Sequence, residues 1–306
     1  MKKLSAFIIV IALAVIGIVL ISKISKSKKI APASGSVVKA AASFYPLAEF
    51  AKQVGADKID VVNITPSGME PHDFEPSPQD IAKIYSAKIF IFNGSGFDPW
   101  AEKIEEDLKK NRVAVVNMTR YFHLLQDKAE EGADPHIWLD PVMAQKEVEI
   151  IADNLKIKDP RNGLIYEENA SRYIAKLSEL DKKYQDGLAD CATRDAVASH
   201  AAFGYLAKRY NINITSIAGI SPEEEPSPKR IAEIAEIARL KNIKYIFFET
   251  LVSPKLAETL AREIGAETLV LNPIEGLTEA ELEAGKNYIS IMEDNLQSIR
   301  KALVCS

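Results

Sequence analysis

The sequence predicts an α/β protein with two Rossmann-like lobes, each built on a parallel sheet, joined by one long rigid helix. Three observations predict this fold. Short apolar segments of strand type alternate with helical segments on both sides of residues 164–188. That stretch contains no proline, and its apolar residues recur at helical spacing. A four-residue motif also occurs twice, at 75–78 and again at 225–228.

The first 36 residues have a different composition from the rest of the chain. Lys2 and Lys3 precede an uncharged run over 4–22, and more lysines follow between 23 and 29. A spanning helix needs about 20 apolar residues, whereas the apolar part of a cleaved signal has roughly 7–15. The run therefore predicts a signal anchor and tether over 1–36. Lysines flank both of its ends, so the charges do not set its orientation. We expect the rest of the chain outside the cytoplasm, at the cell surface or in the periplasm, because of the features described below.

Composition limits the partners of the remaining chain. The whole chain has 306 residues, is 47% hydrophobic and carries a net charge of -5. No basic stripe with interleaved aromatic residues is present, so we expect no nucleic-acid partner. The length suits two globular domains. We expect a first lobe over 37–163, a connecting helix over 164–188 and a second lobe over 189–306.

The first lobe shows four apolar strand segments separated by helical segments. The predicted strands cover 37–43, 59–65, 89–93 and 113–117. The predicted helices cover 47–54, a segment that begins at Pro78, 99–110 and a segment that begins at Pro141.

The second lobe repeats this alternation after the long helix. Its predicted strands cover 195–199, 212–217, 245–248 and 268–271. Its predicted helices cover 203–210, a segment that begins at Pro228, 254–264, and one final helix over 278–302.

The repeated motif, EPSP, predicts the same helix start in both lobes. In each copy a serine can cap the helix and a proline suits its first position, at Ser77 and Pro78 and again at Ser227 and Pro228. The copies differ just before this point. The first carries His72, where the second has Pro222.

The only two cysteines, Cys191 and Cys305, suggest a disulfide. An even number of cysteines in an exported protein is typical of such a bond, because exported compartments are oxidising. The alternative is a pair of free thiols. We expect the bond, which would join the end of the final helix to the start of the second lobe.

Three of the four histidines occupy loops near strand ends, which predicts a metal site. These are His72, His136 and His200, whereas His123 has no such placement. Ligands of open parallel sheets bind outside the carboxyl ends of the strands. Glu249 and Asn272 also follow strands, and Glu275 lies in the same turn as Asn272. Each histidine alone is more often solvated or structural, so the prediction depends on all three.

The donor types indicate which metal ion would bind. Neutral imidazoles and an ionised carboxylate suit a borderline divalent ion. Three histidines and one carboxylate give a tetrahedral site suited to Zn²⁺, whereas a manganese site is expected to carry more oxygen donors.

These residues together resemble a known family. The chain is similar to the zinc/manganese substrate-binding proteins of metal ABC importers, the ZnuA/AdcA type of the cluster A-I solute-binding proteins, over residues 38–305. The resemblance is carried by the motifs EPHDFEPSPQD at 70–80, DPHIWLD at 134–140, SHAAFGY at 199–205 and LNPIEG at 271–276.

The resemblance implies a ligand set. The first three ligands are His72, His136 and His200, and a histidine at the third position is the choice of zinc-type members. Some members place an aspartate where this chain has Asn272, and others use a glutamate three residues later. This implies Glu275 as the fourth ligand and leaves Asn272 to orient the loop. Glu249 is an alternative fourth ligand or a supporting residue.

The resemblance also implies a function. We expect a monomeric, tethered, extracytoplasmic protein that captures Zn²⁺ between its lobes and delivers it to a membrane permease, powered by a separate ATPase subunit. We expect it not to be an enzyme, because four protein ligands leave no open metal position. The alternatives are a manganese-binding protein of the same family, a metal-dependent surface adhesin and, less favoured, a metallohydrolase with Glu275 or Glu249 as general base.

Overall fold

Two four-stranded parallel sheets form the framework of the computed structural model, which describes residues 37–126 and 132–306. The strand orders are β2-β1-β3-β4 and β6-β5-β7-β8. This shared order confirms the predicted pair of parallel-sheet lobes. The first sheet comprises β1 (Val38–Ala42), β2 (Ile59–Asn63), β3 (Ile89–Phe92) and β4 (Ala114–Asn117), and the second β5 (Asp195–Ala198), β6 (Asn213–Ser216), β7 (Tyr245–Phe248) and β8 (Glu267–Val270).

Helices follow the strands as parallel pairing requires, since each parallel connection must cross over the sheet. In chain order the described helices are α1 (Tyr45–Gly55), α2 (Pro78–Ser86), α3 (Pro99–Lys110), α4 (Pro141–Lys158), α5 (Gly163–Gly187), α6 (Gly204–Tyr210), α7 (Pro228–Leu240), α8 (Lys255–Ile264), α9 (Glu279–Glu283) and α10 (Tyr288–Leu303).

Helix α5 is the long helix that the sequence predicts, with 25 residues. It buries an aromatic and aliphatic stripe that includes Tyr173, Leu177 and Tyr184. This stripe belongs to one apolar core that also contains Ala42 of the first sheet and Ala198 of the second. Residues 37–306 accordingly form one compact unit. The lobe boundaries on either side of α5 remain a prediction.

The repeated motif forms the same local structure in both lobes. The Ser77 hydroxyl accepts a hydrogen bond from Asp80 N at 3.3 Å, and the Ser227 hydroxyl accepts one from Arg230 N at 3.2 Å. In the first copy the Asp80 carboxylate also accepts from Ser77 N, which completes a capping box. The predicted helix starts are confirmed.

The prediction of one final helix over 278–302 is wrong. The structure has two helices, α9 and α10, separated by a turn in which Gly285 adopts φ +69°. The Asn287 side chain then accepts a hydrogen bond from Ser290 N and begins α10. Apolar periodicity continues through this segment, so the break depends on one glycine and one cap.

The predicted signal anchor over 1–36 lies outside the described residues. Within the parts of the chain that the structure describes, no helix has both the length and the apolar character needed to cross a membrane.

The predicted disulfide between Cys191 and Cys305 is confirmed. It joins the end of α10 to the segment that precedes β5, at the amino ends of the second sheet's strands. The bond closes a loop with a sequence separation of 114 residues. A disulfide that closes a loop of this size stabilises the folded protein because it restricts the unfolded chain. The gain in unfolding free energy is typically about 2–4 kcal/mol.

Replacing both cysteines should test this contribution. The C191S/C305S variant is expected to lose about 2–4 kcal/mol of unfolding free energy, because its unfolded chain is no longer restricted. Denaturant unfolding monitored by circular dichroism measures the change. The unmodified chain under reducing conditions is the control, because it loses the bond but keeps both side chains. An unfolding midpoint equal to that of the unmodified chain would contradict the prediction.

Candidate metal centre

Four side chains predicted from the sequence meet beyond the carboxyl ends of the strands. His72 and His136 come from connections of the first sheet, and His200 and Glu275 follow β5 and β8 of the second. One donor atom from each lies within 4.8 Å of the donors of the others. His136 and His200 are fully buried, and Glu275 is 1% exposed. The cluster therefore joins the two sheets at a site that water scarcely reaches.

Four of the six donor–donor distances fall in a narrow range, and all six lie within 4.8 Å. Nε2 of His136 lies 3.4 Å from Nε2 of His200. Glu275 Oε1 lies 3.3 Å from Nε2 of His136, and 3.5 Å from Nε2 of both His72 and His200. Tetrahedral coordination with zinc–donor bonds of about 2.0–2.1 Å places donors about 3.3–3.4 Å apart. An octahedral arrangement with the same bond length would give about 2.9 Å.

Several of these atoms have no hydrogen-bond partner within the described residues. Nε2 of His72 and both carboxylate oxygens of Glu275 are buried and unpaired. A buried polar group without a partner is costly. Buried, unpaired donor atoms within 4.8 Å of one another are the arrangement expected around a cation.

Two of the imidazoles are oriented by carboxylates. Nδ1 of His136 lies 2.8 Å from Asp134 Oδ1, which also accepts from His136 N. Nδ1 of His200 lies 2.6 Å from Glu249 Oε1, which accepts from the Ser199 hydroxyl as well. A proton on Nδ1 leaves the Nε2 lone pair free to face the centre, which is the tautomer a metal requires. Glu249 thus supports His200 and does not belong to the donor cluster.

His72 is held differently. Its ring packs edge-on against Phe97, with centroids 4.5 Å apart and an interplanar angle of 67°. Its backbone N–H donates to Glu70 Oε1 at 3.0 Å. Burial and the nearby Glu275 carboxylate raise the pKa of Glu70 to about 10, so this side chain is protonated at neutral pH. On the Nε2 side of the imidazoles, Glu275 therefore supplies the negative charge, while Asp134 and Glu249 contact the Nδ1 atoms of His136 and His200.

The charge of Glu275 contributes to the pKa shifts of all three imidazoles. Burial alone would raise the pKa of Glu275, but the three imidazoles outweigh burial and hold it well below its ordinary value. Burial lowers the pKa of His72. Burial acts in the same direction on His136 and His200, but their carboxylate partners outweigh it and raise both pKa values above 6.5. In the absence of a metal, protons on these two rings balance the buried carboxylate.

The segment that carries His136 is anchored to the second lobe. Trp138 Nε1 donates to Pro273 O at 2.8 Å, and the Tyr288 hydroxyl donates to Trp138 O at 2.5 Å. The Tyr205 hydroxyl donates to Asp134 O at 2.7 Å. These buried hydrogen bonds fix the position of His136 relative to His200 and Glu275.

Asn272 orients the loop before Glu275. Its Oδ1 accepts from Ile274 N at 2.7 Å, and its backbone N–H donates to Asn295. Ile274 adopts φ +59°, a conformation that is strained for a β-branched residue. This backbone turn directs the Glu275 carboxylate to the centre and leaves the Asn272 side chain outside it.

The remaining residues weighed from the sequence lie apart from the cluster. His123 is exposed and does not join the donors. Reasoning from the sequence assigned no individual role to Asp134 or Phe97. The spacing of two residues between Asp134 and His136 was a usable signal, because a carboxylate so placed can reach the same imidazole. No signal pointed to Phe97, which is 25 residues from His72.

Comparison with known proteins gives a family match over nearly the whole described chain. The model of the ZnuA family, described as zinc-uptake complex component A, periplasmic, matches residues 41–302. The chain is 40% identical over 293 residues to the high-affinity zinc uptake system protein ZnuA of Bacillus subtilis, covering 92% of each chain. It is 42% identical over 272 residues to the zinc-binding lipoprotein AdcA of Streptococcus pneumoniae, but spans only 54% of that protein.

Solved structures agree with the sequence comparison. The Zn(II)-bound ZnuA-like domain of Streptococcus pneumoniae AdcA superposes with a TM-score of 0.78 at 41% identity, covering 87% of this chain and 98% of that one. The laminin-binding protein Lmb of Streptococcus agalactiae, described as bifunctional with adhesin and metal-transporting activity, gives 0.80 at 33% identity, covering 87% and 99%.

Removing the Glu275 charge should change the titration of the metal-free cluster. In E275Q the pKa values of His136 and His200 are expected to fall, because one of the two carboxylates that stabilise each protonated ring is gone, while Asp134 and Glu249 remain. Histidine ring signals in an NMR pH titration measure both values. E281Q, which removes a carboxylate bonded to Asn272 rather than to an imidazole, is the matched control. Unchanged titration curves in E275Q would contradict this account.

Proposed function

The chain belongs to the ZnuA family of zinc-uptake components, and we propose that it captures Zn²⁺ outside the cytoplasm through His72, His136, His200 and Glu275. The observation that carries this proposal is the spacing of the four donors. Four of the six donor–donor distances, at 3.3–3.5 Å, suit tetrahedral coordination of Zn²⁺. The ion would take the place of the protons that balance Glu275 in the metal-free site.

Zinc is favoured over manganese by the donor types as well as by the spacing. Three nitrogen donors and one carboxylate suit zinc, whereas manganese prefers more oxygen donors. Glu249 could have supplied one, but its carboxylate is bonded to Nδ1 of His200 and to Ser199. Glu70 contributes no second charge to the centre, because its pKa is raised to about 10.

The same geometry favours binding and transfer over catalysis. A catalytic zinc site keeps one position open for water or substrate. Four protein donors that are themselves buried fill a tetrahedral shell. Of the general bases that a hydrolase would require, Glu249 is bonded to Nδ1 of His200, and Glu275 is itself one of the four donors. We therefore propose a binding protein rather than an enzyme.

Delivery completes the proposed function. The family description, a periplasmic component of a zinc-uptake complex, supports release of the ion to a membrane permease driven by a separate ATPase subunit. We propose that the protein acts as a monomer at the outer face of the cytoplasmic membrane. The predicted anchor over 1–36, which would hold it there, lies outside the described residues.

A second candidate function is adhesion at the cell surface. The observation that favours it is the similarity to Lmb, whose description includes both adhesin and metal-transporting activity. The metal site does not identify a protein partner. Adhesion would therefore be an addition to zinc capture, on a different surface of the same fold.

Removing one donor should abolish tight binding. H72A is expected to weaken Zn²⁺ binding by about two orders of magnitude or more, since even the loss of a residue that only supports a ligand costs 10–100-fold. Competition with a chromophoric chelator measures the affinity. H123A, which removes an exposed histidine outside the cluster, is the matched control and should bind as the unmodified chain does. Unchanged affinity in H72A would exclude the proposed site.

Binding should also depend on pH. Because the pKa values of His136 and His200 lie above 6.5, protons compete with the metal from neutral pH downward. Affinity should therefore rise with pH, with a proton released from each of these two rings on binding. Calorimetry in buffers of different ionisation enthalpy counts the protons. A flat affinity from about pH 8 to about pH 5 would argue against imidazole donors.

A further inference from the structure

The three imidazoles of the cluster are oriented by two different means. Carboxylates hold Nδ1 of His136 and of His200. Within the described residues, no carboxylate holds Nδ1 of His72. The His72 ring lies against Phe97 instead. We propose that Phe97 is a positioning residue that holds the His72 imidazole in its metal-binding orientation and thereby sets how tightly the ion is retained. This inference rests on the proposed function.

The Phe97 ring is itself fixed on its other sides. It is 1% exposed and lies 4.6 Å from the Phe44 ring and 5.0 Å from the Trp138 ring, measured between centroids. Trp138 is held in turn by its hydrogen bond to Pro273 O. A ring packed in this way cannot move aside without disturbing the core, so it presents a constant surface to His72.

The backbone that carries Phe97 is equally constrained. The buried Asp98 carboxylate accepts hydrogen bonds from Asn93 N at 2.8 Å and from Gly94 N at 2.7 Å. Phe97 N donates to Gly94 O at 3.2 Å, which closes the turn. Gly94 adopts φ +84°, and a Cβ there would lie 2.3 Å from the Asn117 side chain. The turn between β3 and α3 is thus held in one conformation.

The same turn contacts the segment that carries a second imidazole. The Asn93 side-chain amide donates to Pro135 O at 3.0 Å, directly before His136. Phe97 therefore stands in a fixed position relative to His136 as well as to His72. Because Phe97 contacts His72, it also fixes where the His72 ring lies relative to His136.

The physical role differs from that of a carboxylate. A carboxylate orients an imidazole by a hydrogen bond, whereas an aromatic ring orients it by shape and by edge-to-face attraction. Without Phe97 the His72 side chain could adopt further rotamers in the metal-free protein. Metal binding would then have to restrict that freedom, so affinity would fall and dissociation would accelerate.

The experiment uses the full chain and Zn²⁺ alone as ligand. F97L is expected to weaken binding by about tenfold and to speed dissociation, as loss of other residues that orient ligands does. Chelator competition gives the affinity, and stopped-flow transfer to excess chelator gives the dissociation rate. F90L is the matched control. Phe90 is equally buried but packs on Phe92 and Trp100, so F90L should leave both quantities unchanged.

A double-mutant cycle separates positioning from a general loss of structure. In an H72A background F97L should change affinity by less than about twofold, because its target is absent. In an H200A background the loss of about tenfold should persist. Equal losses in both backgrounds, or unmodified affinity in F97L, would overturn the inference. If F97L does not fold, F97M takes its place in the cycle.

The cycle also separates this inference from the function on which it rests. If the unmodified chain does not bind Zn²⁺, the proposed function fails and the inference fails with it. If the unmodified chain binds Zn²⁺ and F97L shows no coupling to His72, only the role of Phe97 is overturned.

Discussion

One buried negative charge organises the centre of this protein. Glu275 is 1% exposed, and an isolated carboxylate in such a place would be strongly disfavoured. Three imidazole nitrogens lie within 3.3–3.5 Å of it. Its charge is compensated by protons on His136 and His200, or by a cation bound among the four donors. Either way the cluster requires positive charge, which explains why a metal site and a set of shifted pKa values occur together.

The repeated topology brings these groups to one place. Both sheets have the same strand order, and in parallel sheets the carboxyl ends lie on one edge. Two such edges that face each other can supply donors from widely separated parts of the chain. The repeated EPSP helix starts preserve the architecture, while the donors differ between the lobes. His72 has no counterpart at Pro222, and the second lobe contributes His200 and Glu275 from other strand ends.

The surroundings of the donors suit capture of an ion rather than reaction upon it. Asp134 and Glu249 fix the tautomers of two imidazoles, and Phe97 packs against the third. These supports come from both lobes, as do the hydrogen bonds of Trp138 and Tyr288 that anchor the His136 segment. A site assembled in this way binds when its parts are together and weakens when any one of them moves.

The sequence alone predicted the two parallel-sheet lobes, the long helix, the caps at Ser77 and Ser227 and the three candidate histidines. Periodicity, turn residues and the histidine-bearing motifs carry these features, because they depend on local sequence. Glu275 was the fourth donor that the family resemblance implied. The tertiary structure alone decided the rest. Gly285 divides the final helix although its apolar period continues. Glu275, and not Asn272 or Glu249, reaches the cluster because of the backbone turn at Ile274. The first outcome depends on one glycine and one cap, which apolar periodicity does not reveal. The second depends on how distant segments of the chain meet at the cluster, which no local pattern predicts.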